Sequence, residues 1–208
     1  RGACGLEGPA AVVSSACSSG AKAYASAARL LHAGLIDAAV VGGVDTLCLT
    51  TLYGFGSLEL LAPGPCRPFA AGRSGISIGE AAAFGLLERT PAAPDADAVL
   101  LCGAGESSDA HHMSSPRPDG LGARLAMQAA LTAAGWRSGE VDYVNLHGTA
   151  TPANDASEAC AMRELFGTGT PAGSTKGATG HTLGAAGAVE AAICALALQH
   201  GLLPANTG

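Results

Sequence analysis

Two rhythms of apolar and polar positions run along this chain. Residues 10–14 (AAVVS) are apolar and β-branched without alternation, which predicts a short buried strand. Residues 18–33 place Ala21, Tyr24, Ala25, Ala28 and Leu31 on one helical face, and Gly34 follows where a helix C-cap belongs. A second strand is expected at 38–42, and a partly helical stretch at 46–61 before the Pro63-Gly-Pro loop. Residues 81–88 and 98–102 read as strands, with a surface connection from Pro91 between them. Residues 107–120 are polar and carry prolines, hence a loop; 121–134 form an amphipathic helix. Then come a strand at 141–146, a helix at 155–166, a strand ending near 174–176 and a small-residue helix at 183–199. Strands alternate with helices and are apolar on both faces. That pattern predicts an α/β protein whose sheets are covered by helices. No low-complexity linker interrupts residues 1–208, so one domain without an internal boundary is expected.

Composition sharpens the picture. The chain is 48% hydrophobic but 4% aromatic, with 30 glycines, so close helix–sheet packing on small side chains is expected. The net charge of -6 and the lack of any Lys/Arg run argue against nucleic-acid and anionic-membrane binding. The most apolar stretch, 183–203, carries Glu190, Gln199 and His200, so no membrane span is expected. Seven cysteines (4, 17, 48, 66, 102, 160 and 194) include no C-x-x-C pair. An odd count without that pair argues against a disulfide framework and points to a reducing, cytoplasmic setting. The first residues lack the apolar run of a signal peptide, and the abrupt ends suggest a piece of a longer chain.

Cys17 lies where the strand pattern gives way to the helix pattern. Such a strand–turn–helix can lift a nucleophile clear of the backbone, and Ser18, Ser19 and Gly20 are small enough to permit it. A helix N-terminus would favour the thiolate, and its free N–H groups could hold an oxyanion. A cysteine is also often a small buried hydrophobe, and this stretch alone leaves both readings open. His147 follows a strand in NLHGTATP; His181 precedes a helix in KGATGHTLG. Both lie where ligands bind in α/β sheets, and a helix dipole biases an imidazole toward its neutral, N–H-donating form. The His111-His112 pair sits in a polar loop without a third ligand, so no metal site is expected. CGAGESS lacks the third glycine and the helix of a dinucleotide loop.

SSACSSGAKA, NLHGTATPANDASE and STKGATGHTLGAAGAVEAA together closely resemble the elongating β-ketoacyl-acyl carrier protein synthases and the ketosynthase domains of polyketide synthases. RPFAAGRSGISIGEAAAF resembles a further segment of that family. The resemblance covers essentially the whole chain. It implies a thiolase-like fold with layered αβαβα architecture, of which this chain is a part. It implies Cys17 as the nucleophile that accepts an acyl group, and His147 and His181 as donors to a malonyl thioester carbonyl. Lys176 resembles the family's active-site lysine and Glu190 its partner. Asp155 and Glu158 match structural anchors of the histidine loop, and Thr149 and Thr151 would line the pantetheine tunnel. No cofactor or metal is implied, because substrates ride on the phosphopantetheine of an acyl carrier protein. That carrier is one implied partner. A homodimer, or a heterodimer with a related subunit, is the other.

The chain departs from the family pattern at Ala70 and Ser74, where aspartates are usual, and at Ile76, Ala150 and Asn154. These changes touch loop anchoring, not a catalytic group, and leave a polyketide or polyene branch open beside fatty-acid elongation. Thiolases and initiating synthases use other triads than Cys-His-His. Chain-length-factor partners typically lack the cysteine, and an inactive fragment is the remaining alternative. Lys22, Arg29, Arg67 and Arg73 are loose candidates for docking an acidic carrier.

Overall fold

A computed structural model of the chain describes residues 5–112 and 114–207; Cys4 lies outside them. Helix α1 spans Ser19–His32, β1 Ala38–Asp45, α2 Leu49–Ser57 and β2 Ala81–Glu88. Helix α3 covers Leu121–Ala134. Strand β3 (Val144–Asn145), α4 (Pro152–Phe166) and β4 (Ala172–Gly173) follow. The short α5 (Lys176–Thr179), a 3₁₀ turn at Leu183–Ala185 and α6 (Ala186–His200) complete the order.

Two helices form the spine. The N-terminal turns of α1 and α6 cross so closely that a Cβ on Gly20 would lie 2.6 Å from the Ala188 nitrogen, and one on Gly187 would meet Ala21. Only small residues permit that approach. Both helices pack against β1 and β2, which pair antiparallel with Val40 opposite Leu86 and Gly42 opposite Phe84. β3 and β4 pair in parallel, Val144 with Ala172. Helices α3 and α4 pack together, with Leu131 and Ala161 buried.

The structure differs from the sequence expectations in three places. Residues 10–14 and 98–102 form no strand among the described residues. Val12 is 95% exposed. A strand exists only through ladder partners, and an apolar run does not supply them. Segment 98–107 instead lies along α3, where Gly103 and Gly105 let its backbone touch Ala130 and Ala126. Finally, α1 and α6 cover one face of the β1–β2 pair, while Val40, Val44, Phe84 and Leu86 on the other face are exposed.

The stretch Leu183–His200 is long and apolar enough to cross a membrane by length and composition alone. Here it is packed on α1 and β2 and carries Glu190 into an ion pair.

Candidate active site

Cys17 sits at a backbone reversal. Ala16 adopts φ +52, a left-handed conformation that costs a non-glycine residue on the order of 1 kcal/mol. Serines hold the turn. Ser19 Oγ donates to the Ala16 carbonyl at 2.6 Å and accepts from the Ser15 N–H at 2.9 Å; Ser18 Oγ donates to the Ser15 carbonyl at 2.8 Å. The turn and the helix of the expected strand–turn–helix are present, with α1 starting two residues on, but no strand leads into them. Its electrostatics correct one expectation. Burial pushes the Cys17 thiol above its ordinary value and outweighs the opposing pull of the Lys176 ammonium and of its own backbone N–H. The resting group is therefore a thiol, not a helix-stabilised thiolate.

The two imidazoles close on this thiol. The donor atoms of Cys17, His147 and His181 lie within 4.8 Å of one another. The two rings meet edge to face, with centroids 5.2 Å apart. Burial, then Lys176, holds His147 well below the usual histidine range, with His181 adding to the effect. Burial and Lys176 likewise lower His181 to about 3. Both rings are neutral at ordinary pH.

Their tautomers are set as well. Lys176 Nζ lies 3.3 Å from His147 Nδ1, and its ammonium can only donate. The Leu183 N–H donates to His181 Nδ1 at 3.2 Å. Each Nδ1 is an acceptor, so each Nε2 carries the proton and is an N–H donor. By spacing alone the three groups could hold a metal ion. Metal-ligating histidines, however, donate their second ring N–H outward, and here the second nitrogen accepts. The arrangement suits an oxygen that gains negative charge.

Lys176 is 2% exposed and pairs through Nζ with Glu190 on α6. Burial pushes the Glu190 carboxyl up, and the Lys176 charge offsets part of that. Glu158 on α4 accepts the His147 N–H at 2.7 Å and the Gly148 N–H at 2.8 Å. Burial raises its carboxyl too, against those two donors. Buried Asp155 accepts from the Phe69 N–H at 2.7 Å and the Ala150 N–H at 3.1 Å. Ala150 is fully buried at φ +66, so the anchor holds a strained turn. Thr149 and Thr151 are buried with hydroxyls 3.0 Å apart, and Thr151 Oγ1 caps α4 by accepting the Asn154 N–H.

The structure also gives contacts to residues that the sequence reading did not place in the site. Asn154 Nδ2 lies within 3.2 Å of Asp155 and 3.5 Å of Glu158, bridging both anchors. Arg73 Nε approaches Asp155 at 3.6 Å, and its guanidinium donates to the Ala70 carbonyl within the same loop. The buried Cys66 thiol donates to the Lys176 carbonyl. The His181 N–H bonds the Ser77 carbonyl at 2.7 Å, and the Gly79 N–H bonds the His181 carbonyl at 3.0 Å. Asp45 grips the loop beyond His181. The bonds of Asn154 and the Arg73–Ala70 bond are local, whereas the links made by Cys66, Ser77, Gly79 and Asp45 cross long sequence separations and left no local trace. Of the basic docking candidates, Lys22 and Arg29 are tied to Glu106, Arg73 faces Asp155, and Arg67 is exposed. The six cysteines within the described residues are all free.

Residues 2–93 match the profile of the beta-ketoacyl synthase N-terminal domain, and residues 98–208 that of the C-terminal domain. The chain belongs to the beta-ketoacyl synthase family. Relatives include Nodulation protein E of Rhizobium meliloti, 40% identical over 207 residues, covering 96% of this chain and 51% of the relative. The mitochondrial 3-oxoacyl-[acyl-carrier-protein] synthase of Arabidopsis thaliana is 40% identical over 216 residues, with 96% and 47% covered. A chain of the solved complex of the ketosynthase ApeO with its chain length factor ApeC from Xenorhabdus doucetiae superposes with a TM-score of 0.90 at 50% identity, covering 96% of this chain and 49% of the solved chain. The chain thus spans about half the length of the curated relatives it matches. Cys17 comes from the first matched segment and both histidines from the second, so the two matched segments of the chain meet at the site.

Proposed function

We propose that this ketosynthase chain carries the catalytic centre for decarboxylative condensation of an acyl thioester with a malonyl thioester, both borne on acyl carrier protein. The observation that carries this reading is the convergence of Cys17 with two neutral, Nε2-protonated histidines inside 4.8 Å.

The steps balance without a resident cofactor. Cys17 Sγ attacks the acyl thioester carbonyl; the carrier's thiol leaves and takes the Cys17 proton. The Cys17 N–H donates to the transient oxyanion. A malonyl thioester then places its carbonyl oxygen between the His147 and His181 Nε2–H groups. The bond to its carboxylate breaks, carbon dioxide leaves, and the electron pair flows to that oxygen as an enolate. Two neutral donors in a buried setting stabilise the charge without having to lose a proton first. The enolate carbon attacks the acyl–Cys17 carbonyl, the carbon–sulfur bond breaks, and the β-ketoacyl product departs on its carrier. The Cys17 thiolate regains a proton from solvent. Lys176 and Glu190 hold His147 in the required tautomer, and Thr149 and Thr151 line the approach of the pantetheine arm. A dimer, with a copy of itself or a chain-length-factor-like subunit, in a reducing cytoplasm completes the reading.

The test is product analysis with acyl- and malonyl-carrier thioesters. The protein is expected to release carbon dioxide and form a β-ketoacyl thioester. His147→Gln and His181→Gln should still take acyl label on Cys17 but release carbon dioxide at least about 100-fold more slowly, the order of loss for an oxyanion donor. Release at the wild-type rate by either variant overturns the assignment.

A further inference from the structure

The loop carrying His181 is clasped from the far side by β1. Asp45, its last residue, places Oδ2 2.9 Å from the Gly184 nitrogen, which donates to it. The preceding residue, Leu183, holds φ +49, and its own N–H donates to His181 Nδ1. Two successive amides of the 183–185 turn thus go to a carboxylate and to the imidazole. A left-handed leucine is disfavoured on its own, so an outside hold must keep the turn in place. Gly43 makes room for that hold: a Cβ there would lie 2.9 Å from Ala185 Cα and 3.0 Å from the Gly184 carbonyl oxygen.

We propose that Asp45 is a positioning residue: by accepting the Gly184 N–H it fixes the 183–185 turn so that the Leu183 N–H holds His181 as an Nε2–H donor. Its consequence for catalysis rests on the condensation reading above. A second consequence is electrostatic. Asp45 also lines the cavity beside Cys17. The groups facing the thiol are Lys176, which favours the thiolate, Glu190 and Asp45, which disfavour it, and the two neutral imidazoles.

The experiment compares Asp45→Ala, Asp45→Asn and Asp45→Glu in the protein with ¹⁵N-labelled histidine. Asn keeps an oxygen acceptor for Gly184 without charge; Glu keeps charge but moves it by one methylene. Three readouts are taken: the His181 ring-nitrogen shifts, carbon dioxide release from a malonyl thioester, and the pH profile of Cys17 alkylation by iodoacetamide. Asp45→Ala should show mixed His181 tautomers and a kcat for decarboxylation lower by about 10- to 100-fold, the scale of a displaced catalytic group, with KM little changed. Asp45→Asn should retain the wild-type ring signature and release carbon dioxide at least about ten times faster than Asp45→Ala. In both, the alkylation midpoint should move to lower pH, because a negative charge beside the thiol is gone. A wild-type His181 signature in Asp45→Ala overturns the proposal. If Asp45→Ala does not fold, Asp45→Glu decides in its place: a positioning role predicts a disturbed signature, a purely electrostatic one leaves it intact. If the wild-type protein releases no carbon dioxide, the condensation reading fails, and the ring spectra still decide the role of Asp45.

Discussion

At the scale of single residues, the site is a set of neutral donors kept neutral by burial and by one cation. Lys176 and Glu190 are therefore interdependent. Lys176→Met leaves Glu190 without its counter-charge and should cost about 3 kcal/mol of unfolding free energy, the lower end for a broken buried pair because Glu190 keeps some solvent access. Lys176→Met with Glu190→Gln should recover most of that stability but not decarboxylation, since His147 Nδ1 still lacks its donor. Urea denaturation and carbon dioxide release separate the two effects. The histidines make a pH prediction. Both have folded pKa values below the unfolded value near 6.5, His181 at about 3. Below 6.5 the unfolded chain binds protons that the folded one refuses, so stability is fully present above that pH and is lost as pH falls from 6.5 toward 3. Each histidine contributes a slope of up to about 1.4 kcal/mol per pH unit there. Denaturation midpoints at pH 7, 6 and 5 should fall less steeply in His181→Gln than in the wild type.

At the scale of elements, the crossing of α1 and α6 sets where Cys17 and the histidine loop meet. Gly20→Ala drives a methyl into the α6 backbone and should destabilise by about 1–3 kcal/mol while slowing acylation of Cys17. Gly54 in α2 is the contrast: nothing lies within 4 Å of a Cβ there, so Gly54→Ala should gain about 0.5–1 kcal/mol from helix propensity. Thermal melts of the two variants should move in opposite directions. The same contrast explains what the sequence could reveal. Helix α3 and strand β2 match their apolar patterns from first residue to last, because period and flanking breakers are local signals. Residues 10–14 and 98–102 carry equally apolar patterns and stay unpaired among the described residues, because pairing is decided by partners elsewhere. The turn into α1 at Cys17 was legible from the pattern change; the lack of a strand before it and the strained Ala16 inside it were not.

At the scale of the whole molecule, the site is a joint between two segments. Cys17, Asp45 and Ser77–Gly79 lie in the first family-profile match; His147, Lys176, His181 and Glu190 lie in the second. Cys17, His147 and His181 were readable as candidates because each sits in its own short motif. The fastenings were not, because Asp45 and Gly184 are 139 positions apart and meet only in space. Residues 90–98, which span the junction between the segments, are exposed throughout. A protease nick there should leave the two pieces associated and Cys17 still acylatable, which size exclusion followed by mass spectrometry would show. Dissociation of the pieces would mean that the cross-links around His181 are too weak to hold the joint. The central claim is that Cys17 is a nucleophile served by this joint. Its most direct test is intact-mass measurement after incubation with an acyl-carrier thioester, beside a folded Cys17→Ala control. The account predicts one acyl adduct, mapped to Cys17 and absent from the control. A folded wild-type protein that gains no adduct, or gains one equally in the control, would contradict it.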